Sequence, residues 1–316
     1  MTLQRTRLAP SPTGALHLGN ARTFLVNWFL ARRNVWRTLL RIEDLDGPRI
    51  KAGAADQAIE DLRWLGLDWD EGPVEQSSRR PHYDKAVGRL VTQGNAYACV
   101  CSRSEIELAA SAPHAEDGSA IYPGTCRGRF STLEDARRQS GRPPAIRFAV
   151  PNQSLVIHDQ LLGEARFNPA GELGDFVIAK NDGTAAYQLA VVVDDADMGI
   201  TQVVRGDDLL DSTPRQILLY HALGMADRIP TYTHLPLVIG PDGRRLAKRH
   251  GDTRLSAYRR RGVPATKVLE LLAGWCGIEP DPTLSLPADL IGRFELASLP
   301  RHPIVYDPAR DPLLKD

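Results

Sequence analysis

Cysteine is scarce in this chain: four in 316 residues, with no secretory leader ahead of them, which excludes a disulfide-built extracellular scaffold. Net charge is absent as well. The 39 basic and 39 acidic residues cancel, so no whole-molecule field draws the protein to nucleic acid, although runs such as "GRRLAKRHG" and "YRRRG" can still form local basic patches. No apolar run reaches the length of a membrane span, and "MTLQRTRLAP" lacks the apolar core of a signal peptide, so no membrane is expected and the expected location is the cytoplasm. No internal repeat is visible. What remains is 42% hydrophobic and 25% charged, the composition of a soluble globular protein long enough for one large domain with an insertion, or for two domains.

The periodicity predicts an α/β fold. Residues 3–9 read as a strand, and Ala21, Phe24, Leu25, Trp28 and Phe29 then recur at helical spacing. "RTLLRIED" reads as a second strand, followed by a helical stripe of Ala58, Ile59, Leu62 and Leu65 that stops at Gly66. Tyr83, Val87, Leu90 and Val91 form a third stripe before Gly94, and "AYACV" is expected to extend a parallel sheet. From Cys101 to about Leu173 the pattern breaks into Gly, Pro and Ser-rich stretches with strand candidates "AIRFAV" and "SLVIHD". Alternation is expected to resume with "AAYQLAVVVDD" and "ITQVVRGDD", after which Ser212 is expected to cap a helix that runs to Gly224. The expected organisation is thus a doubly wound, Rossmann-type parallel-sheet catalytic domain in two halves, 1–100 and 174–254, around an α+β insertion at 101–173, with a small C-terminal helical region at 255–316.

In such a sheet, ligands sit beyond the carboxyl ends of the strands, where helix N-termini offer unpaired N–H groups to anions. His17 and Gly19 fall at that place, with Gly14, Pro10 and Pro12 shaping the approach. Standing alone, such a histidine packs or lies at the surface more often than it faces a phosphate. The rest of the chain changes this balance. "RLAPSPTGALHLGNAR", "RIEDLD", "AIEDLRWLGLDWDEGP", "YQLAVVVDD", "VVRGDDLLDSTPRQILLY" and "RRLAKRHG" occur in the order found in glutamyl-tRNA synthetases, members of the class I aminoacyl-tRNA synthetases, which this chain resembles over most of residues 5–255. "HLGN" stands where that family has its HIGH-type motif and "RLAKR" where it has its KMSKS-type motif.

The resemblance implies attack of a glutamate carboxylate on the α-phosphate of ATP, with Mg accompanying the nucleotide. It places His17 and Lys248 in catalysis, with Gly19, Asn20 and Arg245 joining them around ATP. It places Arg7, Ser11, Glu43, Tyr187 and Arg205 around glutamate, with Glu43 suited to the ammonium and each arginine able to fork onto a carboxylate. The second motif departs from the family pattern, because Arg245 stands for a lysine and Ala247 for a serine. Val191 stands where full-length enzymes usually carry asparagine. Loss of one such hydrogen bond is worth on the order of 1–3 kcal/mol, so weaker glutamate binding is expected.

Cys99, Cys101 and Cys126 cluster in sequence, which suggests a tetrahedral zinc site in need of a fourth ligand. The resemblance makes that ligand Tyr122, as phenolate, with His114 the commoner chemistry; the bland alternative is three buried, metal-free thiols. One structural zinc per chain is expected at the base of the insertion, and Cys276 is expected to be plain core.

The chain ends about sixty residues past "RLAKR", so no anticodon-binding domain is expected. With Val191 and "HLGN", this resembles the shortened branch of the family that activates glutamate without tRNA and transfers it to queuosine in the anticodon loop of tRNA(Asp). A monomer is expected. The alternatives are a truncated enzyme that charges the 3′ end of tRNA(Glu), and a weakly catalytic paralogue that binds glutamate or nucleotide.

Overall fold

The structure, a computed structural model, describes residues 3–109, 121–246, 251–279, 287–311 and 313. It opens with β1 (Arg5–Leu8), α1 (Leu18–Arg33), β2 (Arg37–Ile42), α2 (Ala54–Trp64), β3 (Glu71–Glu75) and α3 (Arg80–Thr92). The three strands form a parallel sheet in the order β1-β2-β3, with Arg5 opposite Arg37 and Leu8 opposite Leu40. Five of the six residues of β2 are buried, as expected of a strand covered on both faces. The predicted stripe of α1 is its inner face: Ala21, Leu25 and Phe29 are inaccessible to solvent, and each large apolar side chain so buried contributes about 1.5–3 kcal/mol.

β4 (Ala96–Cys99) does not extend that sheet. It runs antiparallel to β5 (Ala145–Phe148), which runs antiparallel to β8 (Phe176–Ala179). A strand reads the same in sequence whichever way its neighbour runs, and here the neighbour is supplied by a distant segment. Between these strands lie α4 (Arg103–Ala109), α5 (Leu133–Ser140), the hairpin of β6 (Leu155–Asp159) and β7 (Gly163–Phe167), and α6 (Pro169–Glu172). The antiparallel sheet therefore reaches beyond both expected edges of the insertion.

A second difference is α7 (Tyr187–Asp197): "YQLAVVVDD" is a helix, not a strand. Every residue from Leu189 to Ala196 is buried, between α3 and α8 (Ser212–Ala222). A helix buried all round and a buried strand present the same apolar run, so pattern does not distinguish them. Ser212 is the first residue of α8 rather than its cap, and its hydroxyl accepts from Gln188 Nε2 at 2.9 Å.

β9 (Gln202–Gly206) and β10 (Thr231–Leu235) form a parallel pair beside β1, where the Thr201 amide donates to the Arg5 carbonyl at 2.9 Å. After β11 (Val238–Ile239), the chain continues through α9 (Leu255–Arg260), α10 (Ala265–Gly274) and α11 (Pro287–Leu290), then returns as β12 (Ile304–Val305) alongside β11. The helical C-terminal region packs on α1 through Phe29 and Phe294, 5.1 Å apart. Cys276 is core, as expected. Among the described residues no helix is long and apolar enough to cross a membrane.

Candidate active site

β1 runs out into a loop, and the loop ends on His17, the N-cap of α1. Its Nδ1 accepts from the Gly19 amide at 3.2 Å, while its own amide donates to Asn20 Oδ1 at 3.4 Å, a reciprocal capping box. Because Nδ1 accepts, the neutral ring carries its proton on Nε2, which is left to serve a ligand. Burial, and then the charge of Arg245, lowers the His17 pKa to about 4, so the ring is neutral near pH 7. One nitrogen of this residue is thus committed to capping α1, and the ring also lines a cavity. A Cβ on Gly19 would stand 3.1 Å from the ring, so the glycine makes room for His17 itself; at Gly14 a Cβ would meet nothing within 4 Å.

The two sequence motifs meet. Leu18 N donates to Thr253 O at 3.0 Å and Leu255 N to Leu16 O at 2.9 Å, which stitches the N-cap of α1 to the loop before α9. Lys248 lies outside the described residues, as do Ala247, Arg249 and His114. The flanking Leu246 and Gly251 line a cavity of about 630 Å³ together with His17, Lys51 and Arg245. Arg245 Nη1 is 2.6 Å from Asp208 Oδ2, an ion pair at the mouth of the site.

A second cavity, of about 210 Å³, is lined by Arg7, His17, Gly19, Asn20, Glu43, Tyr187, Arg205 and Arg245. Apart from Arg245, which lies in the loop after β11, these residues come from the carboxyl-terminal ends of β1, β2 and β9 and from the N-terminal ends of α1 and α7, the place where a parallel sheet binds ligands. Ser11 stands apart from this lining and donates its hydroxyl to the Glu43 carbonyl at 3.2 Å. Val191, one turn beyond Tyr187, is buried in α7 and does not line the cavity either.

Beneath the cavity lies a charge cluster that sequence reasoning missed. The fully buried Arg41 donates to Asp195 Oδ1 at 2.6 Å and to Glu43 Oε1 at 3.1 Å, and Arg7 Nε lies 3.5 Å from the same Asp195 oxygen. Burial raises the Glu43 pKa against the opposing charges of Arg41 and Arg7. The signal was available in principle: a charge inside an apolar run, as in "TLLRIED" or "AVVVDD", must find a partner once buried.

The thiols also converge. The sulfurs of Cys99, Cys101 and Cys126 all lie within 4.8 Å of one another, and Tyr122 Oη stands 3.5 Å from Cys99 Sγ and 3.6 Å from Cys101 Sγ. Zinc bond lengths of about 2.3 Å to sulfur and 2.0 Å to oxygen require a sulfur–oxygen edge of about 3.5 Å in a tetrahedron, so the donor set fits. Without a cation, burial pushes the Tyr122 phenol up, and the Cys101 thiol up to about 11; a divalent ion reverses that preference. Arg147 Nε lies 3.2 Å from Cys99 Sγ, and its guanidinium sits 3.9 Å over the Tyr122 ring, a cation beside what would be an anionic centre.

A mononucleotide-type sheet, a histidine-capped helix and a cation-lined cavity define a class I tRNA synthetase catalytic unit. The family described as tRNA synthetases class I (E and Q), catalytic domain, matches residues 4–282, and the chain belongs to this family of ligases. Within it the chain groups with the glutamyl-Q tRNA(Asp) synthetases. It is 50% identical over 308 residues to the Glutamyl-Q tRNA(Asp) synthetase of Symbiobacterium thermophilum, with 94% of each chain covered. It is 42% identical over 311 residues to the Glutamate--tRNA ligase of Citrifermentans bemidjiense, of which it covers 64%, with 98% of this chain matched. Among solved structures, a glutamate tRNA ligase from Elizabethkingia meningosepticum in complex with its amino acid superposes with a TM-score of 0.81 at 29% identity, covering 96% of this chain and 67% of that one.

Proposed function

We propose that the chain activates glutamate with ATP, without tRNA, and transfers the glutamyl group to a hydroxyl of queuosine in the anticodon loop of tRNA(Asp). In the first step a glutamate carboxylate oxygen bonds to the α-phosphorus and pyrophosphate leaves; in the second the hydroxyl attacks the acyl carbon and AMP leaves. His17 Nε2–H donates toward the α-phosphate, Lys248 and Arg245 hold the leaving phosphates, and Gly19 and Asn20 border the nucleotide. Glu43 takes the substrate ammonium, Arg7 and Arg205 take its carboxylates, and Ser11 and Tyr187 complete the rim. The observation that carries this reading is a single cavity in which His17 shares walls with Arg7, Glu43 and Arg205. Similarity to glutamyl-Q tRNA(Asp) synthetases favours the queuosine acceptor.

Incubation with labelled glutamate, ATP and total tRNA, followed by nuclease mapping, tests the acceptor. Label is expected on queuosine of tRNA(Asp), with little on tRNA(Asp) that lacks the modification and none at the 3′ end of tRNA(Glu). Label on a terminal adenosine would instead identify 3′-end charging, and absence of any glutamate-dependent pyrophosphate exchange would leave only a binding function.

We also propose that Cys99, Cys101, Cys126 and Tyr122 hold one structural zinc that pins the inserted sheet to its loop. Protein purified without chelator is expected to carry close to one zinc per chain, and Cys126→Ser is expected to lose the metal together with thermal stability. Metal analysis that finds no zinc in such protein would remove the site.

A further inference from the structure

Arg205 and His234 occupy partnered positions on the parallel strands β9 and β10, which sets the two side chains together in the interior. Arg205 Nε donates to His234 Nε2 at 3.1 Å, Nη1 to Gln216 Oε1 at 2.9 Å and Nη2 to Thr213 Oγ1 at 2.8 Å. Three of the five guanidinium N–H groups are thereby held, and one on each terminal nitrogen has no partner among the described residues. Three fixed points define the plane of the group and leave one N–H on each of Nη1 and Nη2 available to a carboxylate. The same guanidinium stands 5.3 Å over the Tyr232 ring, which stacks on His234.

Behind His234 stands Asp159, at the end of β6 in the inserted hairpin. Its Oδ2 accepts from both the His234 amide at 2.9 Å and His234 Nδ1 at 2.7 Å, while Oδ1 accepts from the amides of Leu161 and Leu162. Three of the four contacts are backbone amide donors, and because the Arg205 Nε–H can only donate to Nε2, the ring proton lies on Nδ1 and is given to Asp159. Nε2 is then a lone pair, the only state compatible with a guanidinium N–H pointing at it. Burial and the charge of Arg205 favour the neutral ring, although Asp159 opposes them.

We propose that Asp159 and His234 are positioning residues for amino-acid binding: they fix the imidazole tautomer that holds Arg205 and so aim its remaining N–H groups at a carboxylate of the substrate. This rests on the reading of Arg205 as a glutamate ligand. It ties the inserted hairpin to selection of the amino acid, because an insertion residue sets the state of a sheet residue 75 positions away.

The test is glutamate-dependent pyrophosphate exchange, with KM measured separately for glutamate and ATP and thermal unfolding measured for each variant. Arg205→Ala is the reference. His234→Met and His234→Gln have similar volume and both abandon Asp159, but only glutamine keeps an oxygen that can accept from Arg205 Nε. His234→Met is expected to raise the glutamate KM by about tenfold or more, with kcat and the ATP KM within about twofold, whereas His234→Gln stays within about threefold of the parent. Asp159→Asn, which retains the side-chain shape, is expected to follow the methionine variant and carries the comparison if position 234 tolerates neither change. An unchanged glutamate KM in folded Asp159→Asn and His234→Met, or equal rises for methionine and glutamine that extend to ATP, overturns the positioning role while leaving Arg205 in place. An unchanged glutamate KM in Arg205→Ala overturns the glutamate reading of Arg205, and the positioning role falls with it.

Discussion

His17→Ala is expected to slow glutamate-dependent pyrophosphate exchange by about 10²-fold or more, the scale on which a preorganised donor to a developing charge acts. The substitution removes two things at once, because Nδ1 caps α1 while the ring, with its other nitrogen, lines the cavity. Loss of an N-cap costs about 0.5–2 kcal/mol of stability and does not by itself explain a rate effect of that size. His17→Asn separates the roles: asparagine is a good cap but cannot place a donor where Nε2 stands, so stability is expected near that of the parent and the rate as low as in His17→Ala. A rate restored by asparagine would show that capping, not donation, is what the reaction needs. The pH dependence follows from the ring's lowered pKa. Since it falls from the ordinary 6.5 to about 4, His17 contributes no limb to the kcat/KM profile near neutrality. The unfolded chain binds the proton first as pH falls. The His17 contribution to stability is therefore complete above about pH 6.5 and is lost progressively toward about pH 4, a slope that His17→Asn should remove.

Arg41→Met is expected to cost about 3–5 kcal/mol of unfolding free energy, the largest stability effect of any single change in the site. The arginine is inaccessible to solvent and bridges Asp195 and Glu43, so its removal strands two carboxylates in the interior with only Arg7, 3.5 Å from Asp195, to face them. Glu43, already raised by burial, would lose its strongest opposing charge and take up a proton more readily. A neutral Glu43 is a poor partner for an ammonium, so the glutamate KM should rise along with the loss of stability. Urea unfolding measures the first and exchange kinetics the second. A loss below about 1 kcal/mol would place this cluster among solvent-screened ion pairs and contradict its burial.

What the sequence by itself determined was local or repeated in kind. The spacing of Ala21, Leu25, Trp28 and Phe29 marked α1, and Gly66, Gly94 and Gly224 marked the ends of helices, where each adopts a positive φ. The order of short motifs named the family, and most of the residues it placed around ATP and glutamate line one cavity, where strand ends and helix N-termini meet. Tertiary structure alone decided the rest. "YQLAVVVDD" became a helix whose Leu189–Ala196 stretch is buried by α3, α8 and β8, and no apolar run announces how many sides will be covered. β4 turned antiparallel because its partner arrives from Ala145–Phe148. Arg41 pairs with Asp195 across 154 positions and His234 with Asp159 across 75. Such pairs follow from strand register and helix docking, which bring distant residues to one depth in the core, and a buried charge then takes the nearest opposite partner because leaving it unpaired costs too much.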